Sequence, residues 1–286
     1  MTQVKAYVPG VYAHSEELAQ ATRDLDGART TPEAVRAQEA EDVESFLGTQ
    51  REAGMDYFSD GLLSWGGISR PFAASTGGSE PWEPLGEPFF RTSELPRGRW
   101  FATLPSPRTL AELSTGGGAQ PRVVAEGVIG PQIAWLAENG CAFVVLQETA
   151  LFSREGELSG LEEAFEALDS PLPLALQLPF GDSGKLLGQL VDLPVEAIGV
   201  DFHATDPESL PRPFPKTLLA GVSDARSSRL EEPRQMADLG RRLMEEFEEA
   251  ADLHLVPNGD LRSLPREVAR EKVLRLGAAA RMLRGG

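Results

Sequence analysis

Cysteine is almost absent from this chain, which has one, Cys141, among 286 residues. A single cysteine excludes an internal disulfide and any zinc site built from several cysteines. Cys141 directly precedes an apolar run, a position that favours a small buried hydrophobic residue over a reactive thiol.

Positive charge is also scarce, with 27 Lys and Arg against 44 Asp and Glu and a formal net charge of -17. This charge repels a phosphate backbone, and no basic stripe interleaved with aromatic residues offsets it, so we do not expect a nucleic acid partner. No apolar run approaches the roughly 20 residues that cross a bilayer, and residues 1–14 lack the basic flank and apolar centre of a signal peptide. We therefore expect a cytoplasmic protein that does not enter a membrane.

Eight short apolar runs, each bounded by turn-forming residues, recur along the chain and have the length of β-strands. The predicted strands are residues 4–8, 55–59, 99–104, 142–147, 172–178, 197–201, 217–222 and 253–256. Helical stretches separate many of them, which is typical of an α/β fold and predicts a parallel (β/α)8 barrel, or TIM barrel. Because one such barrel takes roughly 250 residues, we expect residues 1–286 to form a single domain.

The helices have recognisable ends and apolar stripes. Thr31 followed by Pro32 predicts an N-cap and first turn, and Gly54 predicts the end of that helix. Two further stripes at helical spacing predict outer helices packed against the barrel. Their members are Met236, Leu239, Leu243, Phe247 and Ala250, and Ala269, Val273, Leu276, Ala280 and Leu283.

The connection 61–98, inserted after the second predicted strand, is too long and too aromatic for a passive linker. It holds five glycines in addition to the two that bound it, Trp65, Trp82 and the pair Phe89 and Phe90. Loops of this length are usually lids or binding loops. The sequence leaves two interpretations open: a lid over the barrel mouth, or an ordered edge that plugs the barrel or mediates a homodimer.

Polar residues concentrate at the predicted strand ends, which is the face where barrel enzymes carry their chemistry. As acid or base candidates we select Asp201, His203 and Asp60, because convergent titratable groups are one signature of a functional site. The candidates for binding a small molecule at the mouth are Gln147, Glu148, Gln177, Asp182, Asp224, Arg226, Asn258 and Asp260.

Several of these residues also have a purely structural interpretation. Asp182, Asp224 and Asp260 lie in predicted turns, where a carboxylate often accepts backbone N–H groups. Arg226 is either the counter-ion of Asp224 or Asp201, or a guanidinium that holds a carboxylate or phosphate. His254 lies inside the last predicted strand, where a role in the barrel wall is favoured.

Seven segments, in order, resemble those of the cobalamin-independent methionine synthases. Gln38 to Gly61 resembles the helix that leads into a "G-(L/M)-D-x-x-x-(D/H)-G" strand, and LQLPFGD, at 176–182, resembles "H-x-C-Y-G-D". The other segments are LPSPRTL at 104–110, LQETALF at 146–152, IGVD at 198–201, GVSDARS at 221–227 and LVPNGDLRS at 255–263. The likeness spans nearly the whole chain and corresponds to the C-terminal catalytic barrel of that family.

The resemblance implies a barrel that moves a methyl group from a methylated folate or corrinoid to a thiol such as homocysteine. In that family a zinc ion held by His, Cys, Glu and Cys binds the thiol as a thiolate. At those four positions this chain has Gln177, Pro179, Asp201 and Gly259. Proline and glycine have no side-chain donor, and a neutral amide is a poor zinc ligand, so we expect no zinc and no metal site.

Two substrate-contacting positions of the family also differ. Leu62 stands where the family has an acid, and Gln147 replaces the aspartate expected to hold the ammonium group of the amino acid. Both changes remove negative charge from the place where a cationic amino group is expected to bind.

Three functions follow as hypotheses. The first is a zinc-independent methyltransferase acting on a thiol or another small molecule, with Asp201, His203 or Asp60 as the base. The second is a non-catalytic barrel that binds a small molecule or a partner protein. The third is a metal-independent lyase related to uroporphyrinogen decarboxylase, which an acidic mouth disfavours because that substrate is a polycarboxylate.

Overall fold

A computed structural model describes residues 3–65, 67–72, 83–86, 89–113, 119–152, 158, 160–247 and 249–285. Trp82 and three glycines of the long connection, Gly66, Gly77 and Gly78, lie outside the described residues. No helix within these ranges is long and apolar enough to span a bilayer.

One parallel sheet organises the described residues. Its strands are β1 (Gln3–Ala6), β2 (Ala102–Pro105), β3 (Val144–Gln147), β4 (Leu174–Gln177), β5 (Ala197–Asp201), β6 (Thr217–Ser223) and β7 (Asp252–Pro257). The strand order is β1-β7-β6-β5-β4-β3-β2: β2 to β7 lie side by side in chain order, and β1 pairs with β7. This order and the parallel pairing confirm the predicted α/β barrel architecture.

The second predicted strand, 55–59, is reduced to a single parallel bridge between Phe58 and Trp100. Its backbone still bonds to both edges of the sheet, since Asp56 N–H donates to Ala6 O over 3.0 Å and Phe58 N–H donates to Arg99 O over 2.9 Å. Side chains replace the remaining ladder bonds: the Gln50 amide bonds both the N–H and the carbonyl of Ser59. The segment therefore lies between β1 and β2 without forming a regular strand.

Helices follow most of the strands. Their bounds are α1 (Glu16–Asp26), α2 (Pro32–Ala53), α3 (Pro107–Leu113), α4 (Pro121–Val124), α5 (Gly130–Glu138), α6 (Leu161–Glu166), α7 (Gly184–Leu190), α8 (Pro233–Glu246) and α9 (Arg266–Arg284). A π-helical turn, Ala125–Ile129, joins α4 to α5.

The predicted helix ends are confirmed. Thr31 caps α2 by accepting a hydrogen bond from Ala34 N–H, and Gly54 ends it in the left-handed conformation at φ 71°. In both predicted stripes most residues are buried, and the remaining two, Leu239 and Leu283, pack partly buried against the core. The first predicted helix is shorter than its stripe, because α8 ends at Glu246 and Phe247 and Ala250 lie beyond it. Cys141 is also buried, as expected, and burial raises the pKa of its thiol to about 12.

The described part of the connection 61–98 packs into the protein. Trp65 is fully buried, its indole N–H donates to Phe89 O over 2.9 Å, and its ring meets those of Phe72 and Phe90 edge to face. Gln132 on α5 bonds both the N–H and the carbonyl of Leu85. Whether the connection acts as a lid remains a prediction.

Candidate functional site

The barrel interior is built in layers, because every second residue of a strand points inward. One layer is apolar and consists of Tyr7, Phe101, Val145, Ala175, Ala197, Leu219 and Val256. Two residues further along β3 and β4, and one residue past the end of β7, the side chains are those of Gln147, Gln177 and Asn258, all buried. The mouth therefore has a buried polar floor directly above an apolar core.

Two of the amides in this floor link strands across the barrel. Gln147 Nε2 donates to Gln177 Oε1 over 3.1 Å, and Gln177 Nε2 donates to the carbonyl of Pro257 over 3.0 Å. Gly199 on β5 leaves room for Gln177, since a Cβ at that glycine would lie 3.0 Å from Gln177 Cγ. These bonds fix the amide orientations before any ligand arrives.

Asp260 joins the floor from the loop after β7. Its carboxylate accepts hydrogen bonds from Val11 N–H, at 3.2 Å, and from the Gln147 side chain. Burial raises the pKa of the Asp260 carboxyl, and those two hydrogen bonds and the charge of Arg262 only partly oppose the shift. A carboxyl with a raised pKa is better matched to accepting a proton near neutral pH.

Asn258 connects two further acids. Its Nδ2 lies 3.0 Å from Asp201 Oδ1 and 3.5 Å from Asp224 Oδ1, while its Oδ1 accepts Ala225 N–H over 2.8 Å. Asp201 is buried, whereas Asp224 is half-buried. The structure thus brings Asp201, Asp224 and Asn258 together, as the strand-end rule predicts.

Other predicted site residues bond mainly to nearby backbone. Asp60 accepts N–H groups from Leu62 and Arg91, tying the start of the connection 61–98 to a point near its end. Asp182 is exposed and accepts Gly184 N–H in a local turn. His203 is exposed as well, and its backbone N–H donates to Asp201.

Glu148 is fully buried and its oxygens are occupied by the protein. They accept hydrogen bonds from the hydroxyls of Ser106 and Thr109 and from the N–H groups of Ala150 and Leu151. Burial raises the pKa of this carboxyl, and the hydrogen bond from Ser106 opposes the shift most strongly. Its contacts hold the loops after β2 and β3 together.

Phe180 is a site residue that the sequence reasoning missed. Its backbone is in the left-handed region at φ 62°, which is rare for a residue with a bulky side chain. This conformation places the ring against Gly259, where a Cβ would lie only 2.3 Å from Phe180 Cζ. The guanidinium of Arg226 lies over the same ring, 4.0 Å from its centroid.

A zinc ion does not fit these residues. Of the four positions expected to ligate it, Gln177 already bonds within the floor, Pro179 and Gly259 offer no donor, and Asp201 alone has a carboxylate. Phe180 packs where a side chain at residue 259 would extend. Among the described residues, no group of three or more His, Cys, Asp or Glu is placed to hold a metal ion.

A buried ion pair holds the loop that carries Asp224 and Arg226. Lys272 on α9 is fully buried, and its Nζ donates to both oxygens of Glu231 over 2.9 Å. Glu231 in turn accepts Ser223 Oγ–H and Asp224 N–H. The sequence offered one signal for this pair, a lysine on the inner face of an amphipathic helix.

Comparison with known proteins agrees with this architecture. No protein-family model matches the chain. A stretch of 122 residues is 35% identical to 5-methyltetrahydropteroyltriglutamate–homocysteine methyltransferase of Mycobacterium leprae, and it covers 39% of this chain but only 16% of that protein.

Two solved structures share the fold over almost their whole length. A B12-independent methionine synthase from a Shewanella species, solved with selenomethionine, has a TM-score of 0.69 at 18% identity and covers 90% of this chain and 91% of its own. A putative vitamin-B12-independent methionine synthase from Listeria monocytogenes has a TM-score of 0.74 at 15% identity, covering 98% of this chain and 99% of its own. Together with the sequence match, these structures confirm the resemblance drawn from the motifs.

Proposed function

We propose that this chain, a relative of the cobalamin-independent methionine synthases, transfers a methyl group to a small thiol at its barrel mouth without a zinc ion. Sequence similarity supports methyl transfer as the reaction, because the M. leprae relative is by its name a homocysteine methyltransferase. The observation that carries the zinc-free form is the packing of Phe180 against Gly259, with Gln177 and Pro179 at two other ligand positions.

Without a metal ion, a protein base must activate the thiol. A thiol with a pKa of about 8.5 is mostly protonated at neutral pH, so its proton must leave before or during attack. Asp260 is the best candidate, because burial raises its pKa and it lies beside the Gln147 amide. Glu148 also has a raised pKa, but four protein donors already occupy its oxygens.

In the proposed step the thiol proton moves to the Asp260 carboxylate and the sulfur lone pair forms a bond to the methyl carbon. The bond between that carbon and the donor, a methylated folate or corrinoid, breaks with its electron pair leaving on the donor. Asp201 and Asn258 form the polar wall that orients the thiol compound. Arg226, which the Phe180 ring supports, supplies a cation for a carboxylate on the ligand.

The proposal is tested by assaying methionine formation from homocysteine and a methylated folate, using protein dialysed against a chelator. Activity that survives dialysis is the expected result, and Asp260→Asn should lower kcat by about 10²- to 10⁴-fold. Asp238→Asn on the exposed face of α8 makes the same chemical change outside the mouth and serves as the control. Dependence of turnover on added zinc would contradict the proposal.

A non-catalytic binding barrel is the second candidate, and it is favoured because the Asp60 and Glu148 carboxylates already accept hydrogen bonds from within the protein. This candidate predicts that calorimetry detects binding of homocysteine, while no methylated product forms with a methylated folate or a methylated corrinoid. A product detected by mass spectrometry from either donor eliminates this alternative.

A further inference from the structure

A cavity lies at the end of the barrel away from the mouth, where the strands begin. It has a volume of about 240 Å³, and the residues that line it include Lys5 on β1, Glu196 just before β5 and His254 on β7. Tyr7, Tyr57 and Phe143 supply aromatic walls. A cavity of roughly 150 Å³ is already large enough for benzene, so this one has room for a substituted ring.

The cavity exists because the side chains of the apolar layer inside the barrel differ in size. Ala175 on β4 and Ala197 on β5 both line it, and both belong to the same inner layer as Tyr7 and Phe101. Two small side chains leave space that a leucine at either position would fill. The space is thus set by the sequence of the inner layer.

His254 is a half-buried polar residue that the mouth does not use. Its Nδ1 lies 3.1 Å from the hydroxyl of Tyr7, and its Nε2 is buried without a hydrogen-bonding partner among the described residues. Burial lowers the pKa of this histidine to about 4, so the ring is neutral at pH 7. A buried polar atom without a partner is costly, and a ligand that bonds it would offset that cost.

We propose that this cavity binds a small neutral aromatic molecule carrying one hydroxyl group, which bonds His254 Nε2. A hydroxyl suits either tautomer of the imidazole, because it donates to a bare Nε2 and accepts from a protonated one. The tyrosine and phenylalanine rings provide edge-to-face contacts for the aromatic part of the ligand.

The charged groups around the cavity favour a neutral ligand. Lys5 Nζ lies 3.5 Å from Asp252 Oδ2 and 5.6 Å from the centroid of Tyr57. Glu196 Oε2 accepts Leu174 N–H over 2.6 Å. Each charge therefore already has a partner, and an ionised ligand would compete with these contacts while losing its own hydration.

The test is a titration of the intact protein with phenol and with toluene, followed by the NMR signals of the lining aromatic rings. Phenol and toluene have similar size, so tighter binding of phenol reports the hydroxyl contact. In the His254→Phe variant, which keeps an aromatic ring of similar size, we expect the preference for phenol to vanish while both probes still bind.

The Ala197→Leu variant should lose binding of both probes because its side chain fills the cavity. Circular dichroism checks that this variant is folded. If it is not, the comparison between the wild-type protein and His254→Phe still tests the proposal. Phenol binding to folded Ala197→Leu with unchanged affinity would overturn the proposal. Failure of the wild-type protein to bind phenol would overturn it as well, and neither result bears on methyl transfer at the mouth.

Discussion

The contact between Phe180 and Gly259 gives a quantitative prediction about how the mouth is built. Replacing Gly259 by alanine places a Cβ 2.3 Å from Phe180 Cζ and 2.6 and 2.8 Å from its Cε atoms. All three separations are far below a van der Waals contact, so the ring must move. Overpacking of this kind destabilises proteins by about 1–3 kcal/mol, and displacing the ring also disrupts its contact with Arg226, worth about 0.5–1 kcal/mol at an exposed site.

A double-mutant cycle separates this clash from other effects of the substitution. In a Phe180→Ala background the ring is gone, and Gly259→Ala should be neutral or stabilising by about 0.4–1 kcal/mol because alanine restricts the unfolded chain. Urea unfolding of the four proteins should therefore give a coupling energy of about 1–3 kcal/mol. Strictly additive free energies of unfolding would refute the idea that Phe180 occupies the space beside residue 259.

Three further predictions concern the supports of the site and fold. Lys272→Met removes the cation that both oxygens of the half-buried Glu231 contact, and should lower the free energy of unfolding in urea titrations towards the low end of about 3–5 kcal/mol, unlike a surface substitution. Since burial raises the pKa of Asp260 above its ordinary 3.8, the folded state holds this proton more tightly and wild-type stability falls as pH rises from that value towards the folded pKa. Asp260→Asn should remove that fall, so a wild-type and variant difference that does not change with pH contradicts the assignment. Thr31→Ala removes the N-cap of α2 and should lower the melting midpoint followed by circular dichroism, with a loss of about 1 kcal/mol that Thr31→Ser largely restores.

Sequence patterns predict the ends of a helix well where those ends depend on residues close together in the chain. The capped start of α2 at Thr31 and its end at Gly54 follow from side-chain and backbone chemistry within a few residues, and both are confirmed. The strand 55–59 was predicted from its apolar pattern and is wrong in detail, because Gln50 takes the backbone groups of Ser59 that a ladder would use. Competition of this kind depends on a neighbouring helix and is invisible to a strand pattern.

At the mouth, the alternation of residues along a strand predicts which side chains face inward but not which hydrogen-bond partners they find. That Gln147, Gln177 and Asn258 face inward follows from their distance of two residues from apolar inner positions on the same strands. Which partner each one finds does not follow, since Gln177 reaches Pro257 on a strand 80 residues away. The left-handed backbone of Phe180 is equally hidden, because glycine is the residue normally expected there.

The left-handed backbone of Phe180 affects which groups the mouth offers to a ligand. A residue other than glycine in a sparsely populated backbone conformation lowers the stability of the folded state by on the order of 1–3 kcal/mol. Such a conformation persists only where the packing around the residue enforces it. At this position the surroundings are Gly259, which admits the ring, and Arg226, whose guanidinium lies over the ring face. Glycine at position 259 therefore admits the Phe180 ring, and that ring in turn supports the guanidinium of Arg226 at the mouth. We therefore expect a ligand at the mouth to be recognised through an anionic group and the neutral amides of the floor. Arg226→Gln should weaken binding of a carboxylate ligand there far more than binding of its amide analogue.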